Sequence, residues 1–186
     1  LEGDLRKANG IHVVEADGVA VENMTARHYQ LNGFYWSGVN GYRGSYLTAY
    51  ANGDYGIYAF ASVWGRVDHD YASGQPDSGF YIGQCQPCHA VITDVISVHN
   101  ALGYSGTNPG GHLIAEKSEW DQNKTGLSTN SQNNDDAPSP QDGACPGGDK
   151  GPTGSHSCTL FRKNYIHDNN NPNVPSAGSA ALGPVG

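Results

Sequence analysis

The sequence predicts an all-β fold, a right-handed parallel β-helix (a solenoid) of about six coils, and three observations indicate this class. Glycines recur with a period of about 23 residues, and an apolar or aromatic residue follows each of them. Short segments that alternate between apolar and polar residues lie between turns rich in Gly, Asn and Asp, as is typical of strands. Neither the 3.6-residue periodicity of helical repeats nor the roughly 40-residue period of propeller blades is present.

The first strand of each coil begins after a repeat glycine, and these glycines are Gly10, Gly33, Gly56, Gly79, Gly103 and Gly126. Side chains alternate between the two faces of a strand, so the residues that follow the glycines should share one face. This column contains Ile11, Phe34, Ile57, Phe80, Tyr104 and Leu127. The next residue of each strand should face outward, and this outward column includes His12, Tyr35, Tyr58 and Tyr81.

Two further columns predict the second and third strands of each coil. The second strand is placed by Val21, Gly44, Val67, Val91 and Ile114. The third strand is placed by Thr25, Thr48, Tyr71, Ile96, Trp120 and Ile166. Three short strands per repeat, joined by tight turns, make up one coil of the predicted β-helix.

The chain is interpreted as one β-helix domain, residues 1–186, and as a fragment of a longer rod. Residues 128–157 are polar and contain several Gly and Pro, which predicts a surface loop inserted into the sixth coil. A disulfide between Cys145 and Cys158 would hold the returning strand in place. The tail after Asn169 is not expected to cover the open end of the β-helix. Because an open β-helix end exposes unpaired strand edges, we expect further coils or a partner chain at the C-terminal end.

Composition narrows the range of partners and compartments. The net charge of −8, without any basic patch, argues against a nucleic-acid partner. The chain has no apolar run of about 18 residues, so no membrane span is expected. Four cysteines in a chain rich in Gly, Asn, Ser and Tyr suggest an exported protein, either secreted or located in the periplasm or at the cell surface.

Three phrases carry a family resemblance: Asp77-Ser-Gly-Phe-Tyr-Ile-Gly-Gln-Cys85, Ala101-Leu-Gly-Tyr-Ser-Gly-Thr-Asn108 and Asn164-Tyr-Ile-His-Asp-Asn-Asn170. They resemble phrases of secreted bacterial right-handed β-helix repeat proteins in the pectin-lyase-like superfamily. The resemblance covers nearly the whole chain and implies the fold. The superfamily includes polysaccharide lyases, epimerases, glycosidases, phage tailspikes and accessory proteins of metal assembly, so the fold alone selects no activity. The resemblance thus implies an exported protein that binds or acts on a polysaccharide or another glycan.

One turn column supplies candidate catalytic residues: Asn23, Tyr46, His69, Asp94, Ser118 and Asn164. Lyase or epimerase chemistry needs a base that removes the proton beside a uronate carboxyl group and an acid for the leaving oxygen. His69 and Tyr46 fit these two roles, and Asp94 extends the proton-transfer set. The alternative is a turn position that is filled by stacked polar residues and has no catalytic role.

Charged residues near His69 are candidates for supporting the same chemistry. Asp68 or Asp70 would orient the imidazole, while Arg43 and Arg66 are the candidates for neutralising a uronate carboxylate. Two pectate-lyase signatures are not matched. The segment from Trp64 to His69 is two residues longer than the Trp-Ile-Asp-His phrase, and the Arg-x-Pro-x-x-Arg phrase is absent. The pectate-lyase mechanism is therefore not transferred to this chain.

The outward column of His12, Tyr35, Tyr58 and Tyr81 predicts a ladder of rings on one face. Such a ladder can bind the flat faces of sugars, with its hydroxyl groups adding polar contacts. Alternatively, stacked rings simply stabilise a parallel sheet. In that case the chain is a structural rod or an interaction module without catalysis.

Asp54 and Asp77 each lie two residues before a repeat glycine and should therefore stack on adjacent coils. Such a pair suits a calcium site or an acid–base pair, since like charges at coil spacing repel without a cation or a proton. The alternative is that both are turn residues whose carboxylates cap backbone amides.

Cys85-Gln-Pro-Cys88-His89 matches the attachment signature of c-type haem, in which two thiols bind the porphyrin and the histidine binds iron. This motif gives an alternative function, a haem-bearing electron-transfer protein. The competing interpretation is a Cys85–Cys88 disulfide that stiffens the turn. A zinc or copper site is a further alternative.

Overall fold

The computed structural model describes residues 1–130 and 158–182 and is a parallel β-solenoid, which confirms the predicted fold class. Within these residues, short strands form three six-stranded parallel sheets. The first sheet contains β1 (Ile11–Val14), β4 (Phe34–Ser37), β7 (Ile57–Phe60), β10 (Ser78–Gly83), β13 (Leu102–Thr107) and β16 (Thr125–Asn130). The second contains β2 (Asp17–Glu22), β5 (Asn40–Ser45), β8 (Val63–Asp68), β11 (Ala90–Thr93), β14 (Leu113–Glu116) and β17 (Thr159–Arg162). The third contains β3 (Thr25–Arg27), β6 (Thr48–Tyr50), β9 (Tyr71–Ser73), β12 (Ile96–Val98), β15 (Glu119–Asp121) and β18 (Tyr165–His167).

Each turn of the solenoid contributes one strand to every sheet. In the first sheet the paired column is the predicted one, Ile11, Phe34, Ile57, Phe80, Tyr104 and Leu127. Five turns therefore separate Ile11 from Leu127. Parallel neighbours need a crossover connection, and the remainder of each coil supplies it.

The repeat glycines lie where successive turns approach most closely. A Cβ atom on Gly33 would lie 2.8 Å from the carbonyl oxygen of Gly56, and one on Gly103 would lie 2.4 Å from that of Gly126. Side chains do not approach backbone oxygens this closely, so these positions accept only glycine. The glycine period seen in the sequence is therefore a steric requirement of stacking one turn on the next.

Large and small residues alternate around the core between the three sheets. The first sheet contributes large buried rings, including Phe34, Phe80 and Tyr104. Opposite them, the first four turns of the third sheet place only small residues, Ala26, Ala49, Ala72 and Ser97, and the fifth turn places the large ring of Trp120. This alternation fills a narrow interior without overpacking.

The structure corrects two predicted columns by one residue. In the second sheet Val67 pairs with Ile92 instead of Val91, and Ile92 pairs with Ala115 instead of Ile114. In the third sheet the inward column is Ala26, Ala49, Ala72, Ser97, Trp120 and Ile166. The other predicted members of that column lie one residue earlier and face outward: Thr25, Thr48, Tyr71 and Ile96. A one-residue slip moves a side chain to the opposite face of a sheet.

The slip in the second sheet arises at the turn between β10 and β11. Phe80 and Ile92 are twelve residues apart, whereas their counterparts on the previous turn, Ile57 and Val67, are ten apart. The connection from β12 to β13 is correspondingly shorter by one residue than the one from β9 to β10. The longer turn before β11 and the shorter connection before β13 nearly cancel in the distance between the two repeat glycines. The glycine spacing therefore reveals neither change.

Buried amide side chains form a ladder along one corner of the solenoid: Asn52, Gln75, Asn100, Asn123 and Asn169. The side-chain oxygen of each later member accepts a hydrogen bond from the backbone N–H of the member before it, at 2.9 to 3.1 Å. The first four side chains are at most 2% exposed. The ladder thus satisfies turn backbone groups that no sheet can reach.

The predicted insertion and tail both differ from expectation. Residues 128–130 belong to β16, while residues 131–157 and Cys145 of the predicted Cys145–Cys158 disulfide lie outside the described residues. The tail folds back onto the solenoid and ends in α1 (Gly178–Leu182). The Lys124 ammonium group donates hydrogen bonds to the carbonyl oxygens of Ala180 and Ala181, at 3.2 and 2.8 Å. In residues 1–130 and 158–182, no helix has the length and apolarity needed to cross a membrane.

Candidate functional site

Six side chains gather on the outer face of the second sheet, where β5 and β8 end. We call them the second-sheet cluster: Arg43, Ser45, Tyr46, Arg66, Asp68 and His69. Alternation along each strand sends Arg43 and Ser45 outward from β5, and the register places Arg66 and Asp68 beside them on β8. The turn residues Tyr46 and His69 follow directly, with left-handed φ values of 54° and 57°.

Asp68 is the centre of this cluster. Its side chain is only 2% exposed, and it accepts hydrogen bonds from the Ser45 hydroxyl and the Arg66 guanidinium group. Burial alone would raise the pKa of Asp68, but these hydrogen bonds and one from His69 outweigh it and lower the pKa to about 2. Asp68 is therefore a permanent buried negative charge beneath an exposed imidazole.

The geometry orients His69 as a base. Its Nδ1 lies 3.1 Å from Asp68 Oδ1, which favours the tautomer in which Nδ1 carries the proton and donates it to the carboxylate. Within the described part of the chain, Nε2 has no hydrogen-bond partner. The Tyr46 ring stacks on the imidazole with centroids 4.7 Å apart, so an exposed phenol and an exposed imidazole lie side by side.

Two guanidinium groups contact Asp68, the carboxylate that orients the imidazole. Arg43 lies 2.9 Å from the carboxylate of Glu22 and 3.6 Å from that of Asp68, and its side chain is 47% exposed. Arg66 is 52% exposed. Each arginine has five N–H donors, so a half-exposed guanidinium group that is already paired keeps donors for an anionic ligand.

The structure separates the other predicted members of this site. Asp94 occupies the same turn position as His69 on the next coil, about 4.8 Å along the solenoid, and its carboxylate accepts a hydrogen bond from Thr93. Asp70 is buried and faces the interior, where Leu47 donates its backbone N–H to it, so Asp68 and not Asp70 orients His69.

The last two members of the predicted turn column are displaced by one residue. The left-handed turn residues that follow Asp94 are Lys117 and Lys163. Ser118 and Asn164 lie one position later, where the Asn164 side chain accepts a hydrogen bond from the backbone N–H of Ser118. They therefore belong to a structural column that joins successive turns.

The predicted ring ladder is shorter than expected. His12 and Tyr35 stack with centroids 4.2 Å apart, and Tyr35 and Tyr58 stack at 4.5 Å. Tyr81 is buried, and its ring meets Tyr58 edge-on at an interplanar angle of 83°. Tyr55, which sequence reasoning did not select, instead stacks on Tyr58 at 4.3 Å.

Asp54 and Asp77 lie on adjacent turns beside these tyrosines. The pKa of Asp77 is raised to about 7 by burial and then by the Asp54 charge, although a hydrogen bond with Tyr55 opposes the rise. Burial also raises the pKa of Asp54. Calcium takes six to eight oxygen ligands, more than this pair supplies. The predicted calcium site therefore remains a prediction, and burial is the main cause of the raised pKa of each carboxyl group.

Cys85 and Cys88 form a disulfide, and both are buried. The disulfide agrees with the alternative interpretation of the Cys85–His89 motif and not with haem attachment, because thiols that are joined to each other cannot bind a porphyrin. His89 stacks on the exposed Trp64 at 3.9 Å and lies beside His112 at 5.0 Å. Sequence reasoning missed this second ring stack because the longer turn before β11 hides its register.

Comparisons of the chain with protein-family models, with curated proteins and with solved structures found no match. Function is therefore argued from the site alone.

Proposed function

We propose that this chain is an exported protein of the pectin-lyase-like type that binds a uronate-containing polysaccharide across the second-sheet cluster and acts on it as a lyase or an epimerase. The observation that carries the proposal is the contact of Asp68 with His69, which prepares an exposed imidazole as a base, while two half-exposed guanidinium groups contact the same carboxylate. The resemblance of the sequence to secreted β-helix proteins and the cysteine-containing composition support the exported location.

The chemistry assigns one role to each exposed group. Arg43 and Arg66 bind the uronate carboxylate and stabilise the negative charge that develops when the adjacent carbon loses its proton. His69 takes that proton through Nε2, and Asp68 stabilises the resulting imidazolium. In elimination, the electron pair of the broken C–H bond forms a carbon–carbon double bond as the glycosidic oxygen departs, and Tyr46 protonates that oxygen. In epimerisation, the oxygen stays and a proton returns to the opposite face of the same carbon.

The test is cleavage of a panel of polyuronates, followed by the ultraviolet absorbance of unsaturated products, with proton exchange at the same carbon measured by NMR for epimerisation. Replacing His69 by alanine is expected to lower the rate by at least about 100-fold, because a general base is removed. Replacing His99, an exposed histidine that contacts Gln122 on the third-sheet side, by alanine is the matched control and should leave the rate unchanged.

Two results would contradict the proposal. One is a wild-type chain that neither cleaves nor exchanges protons in any polyuronate. The other is a His69→Ala variant that keeps full activity while circular dichroism shows an unchanged fold.

A second candidate function is sugar binding without catalysis, and the stacked, partly exposed rings of Tyr35 and Tyr58 favour it. Replacing both residues by alanine is expected to weaken glycan binding by about tenfold or more, since each ring contributes roughly 1 kcal/mol of stacking. Tyr50, exposed on the third sheet, provides the Tyr50→Ala control. Titration calorimetry against a glycan panel measures the affinities, and equal affinities for all three proteins would exclude the ladder as the binding surface.

A further inference from the structure

A cluster of carboxylates and an imidazole lies on the outer face of the third sheet, away from the second-sheet cluster. Glu119 and Asp121 are two residues apart on β15, so alternation sends both side chains to the same face. The register pairs Asp121 with His167 of β18, on the next turn of the solenoid. The fold therefore brings together three side chains whose sequence positions span 48 residues.

The three side chains are spaced as metal ligands are. His167 Nε2 lies 3.4 Å from Glu119 Oε1, and His167 Nδ1 lies 3.3 Å from Asp121 Oδ1. One ligand atom from each residue can be chosen so that all lie within 4.8 Å of one another. Ligand atoms at about 2.1 Å from a tetrahedral zinc ion are roughly 3.4 Å apart. Because the two short contacts involve different ring nitrogens, side-chain rotation would have to bring one nitrogen and both carboxylates around the ion.

An independent feature of Asp121 points to a cation. The residue is 8% exposed, and its Oδ1 is buried without a hydrogen-bond partner in the described structure. Oδ2, in contrast, accepts a hydrogen bond from the Gln122 amide at 2.9 Å, which holds the carboxylate in place. Its neighbour His167 Nδ1, at 3.3 Å, neutralises this oxygen only when the imidazole is protonated, and a bound metal ion would do so when the imidazole is neutral.

The ligand set selects the class of metal. Imidazole together with carboxylate suits divalent first-row transition ions, whereas calcium and magnesium prefer oxygen ligands alone. Asp168, whose Oδ2 lies 3.1 Å from His167 Nδ1, can accept a hydrogen bond from the ring nitrogen that does not hold the metal. Three protein ligands leave one tetrahedral position for water or for a ligand group.

We propose that Glu119, Asp121 and His167 form a binding site for one divalent first-row transition metal ion, with zinc as the representative ion. The site joins the last two described turns of the third sheet, so the ion would link β15 to β18. It shares no residue with the second-sheet cluster, and its test is independent of the proposed function.

The experiment uses the untagged full chain, freed of metal by chelation and titrated with zinc chloride in a calorimeter. One ion per chain is expected to bind, and Asp121→Asn and His167→Ala should each weaken binding by at least about 100-fold. His12→Ala, which removes an exposed histidine of the first sheet, is the matched control and should bind as the wild type does. Cobalt in place of zinc should give visible absorption bands in the wild type that both site variants lose.

Circular dichroism shows whether each variant is folded. The His12→Ala variant shows whether surface histidines bind the ion. Absence of zinc binding by the folded wild type would overturn the site. Binding that persists in both site variants but falls in His12→Ala would assign the ion to surface histidines and also overturn it. Displacement of zinc by excess calcium would show that the site does not favour a nitrogen ligand and would contradict the proposed class of metal.

Discussion

Replacing Asp70 by asparagine is expected to raise the free energy of unfolding at pH 8 by roughly 5 kcal/mol, with little change near pH 4. Asp70 is 2% exposed and faces the interior of the solenoid. Its Oδ1 accepts the Leu47 N–H at 2.6 Å, whereas its Oδ2 is buried without a hydrogen-bond partner among the described residues. Burial raises the pKa of Asp70 to about 8, against the opposing effect of the Leu47 hydrogen bond.

The sign follows from the two pKa values. The unfolded chain releases the Asp70 proton at an ordinary pKa of 3.8, while the folded chain keeps it until about pH 8. Between these values the unfolded state binds fewer protons, so stability falls as pH rises and levels off above pH 8. Each pH unit in this window costs about 1.4 kcal/mol for one group. Asparagine keeps the oxygen that accepts the Leu47 N–H and has no proton to lose.

Urea denaturation from pH 4 to pH 8 measures this effect. The Asp70→Asn variant should retain some pH dependence, because the raised pKa of Asp77, about 7, acts in the same direction. Asp17→Asn, at an exposed position on β2, is the control and should follow the wild type. Parallel stability curves for wild type and Asp70→Asn across the window would show that Asp70 is ionised in the folded state and contradict the prediction.

The sequence predicts the fold because its strongest signal has one physical cause. A Cβ atom on most of the repeat glycines would collide with the carbonyl oxygen of the next turn, as at Gly33 and Gly56, so the period has a steric cause. The first sheet follows directly from that period. The later strands are less certain, because the connection from β12 to β13 is one residue shorter than its counterpart on the previous turn, so a position counted back from the next repeat glycine falls on the opposite face.

The candidate site is predictable where its members are close in sequence or separated by one regular repeat. Tyr46 and His69 are 23 residues apart, before the longer turn, and their rings do stack. The burial of Asp68, in contrast, depends on tertiary packing that a linear pattern does not contain. Asp121 and His167 each come one residue after Trp120 and Ile166, which the sequence already places in one column, so their pairing follows from the predicted register. What the pattern does not indicate is that the carboxylate and the imidazole at these positions approach each other closely.

The amide ladder shows a different limit. Its members vary between Asn and Gln, and the distance from Asn100 to its repeat glycine is one residue shorter than the distance from Gln75 to its own. An Asn in a turn is also common for local reasons, so the residue type alone does not indicate a buried ladder. Only the burial of the side chains and their contacts with the next turn distinguish the two cases.

Replacing Asn100 by alanine is expected to lower the free energy of unfolding by about 4 kcal/mol. The Asn100 oxygen accepts the backbone N–H of Gln75 at 2.9 Å, and its Nδ2 donates to the carbonyl oxygen of Ala72 at 3.1 Å. Alanine removes the partner of the Gln75 N–H and one donor to the Ala72 carbonyl, and it adds a cavity at a position that is 0% exposed. The same Nδ2 also lies 3.1 Å from the Asn123 oxygen, so the loss extends to the next turn.

Urea denaturation of Asn100→Ala against Asn40→Ala, an exposed control on β5, measures the difference, and the control should change stability by less than about 0.5 kcal/mol. If Asn100→Ala does not fold, Asn100→Gln keeps an amide at this position, as Gln75 does on the previous turn, and should fold with intermediate stability. A loss below about 1 kcal/mol in Asn100→Ala would mean that water replaces the missing amide. The ladder would then contribute little to stability. The sheets and the apolar core would hold successive turns together instead.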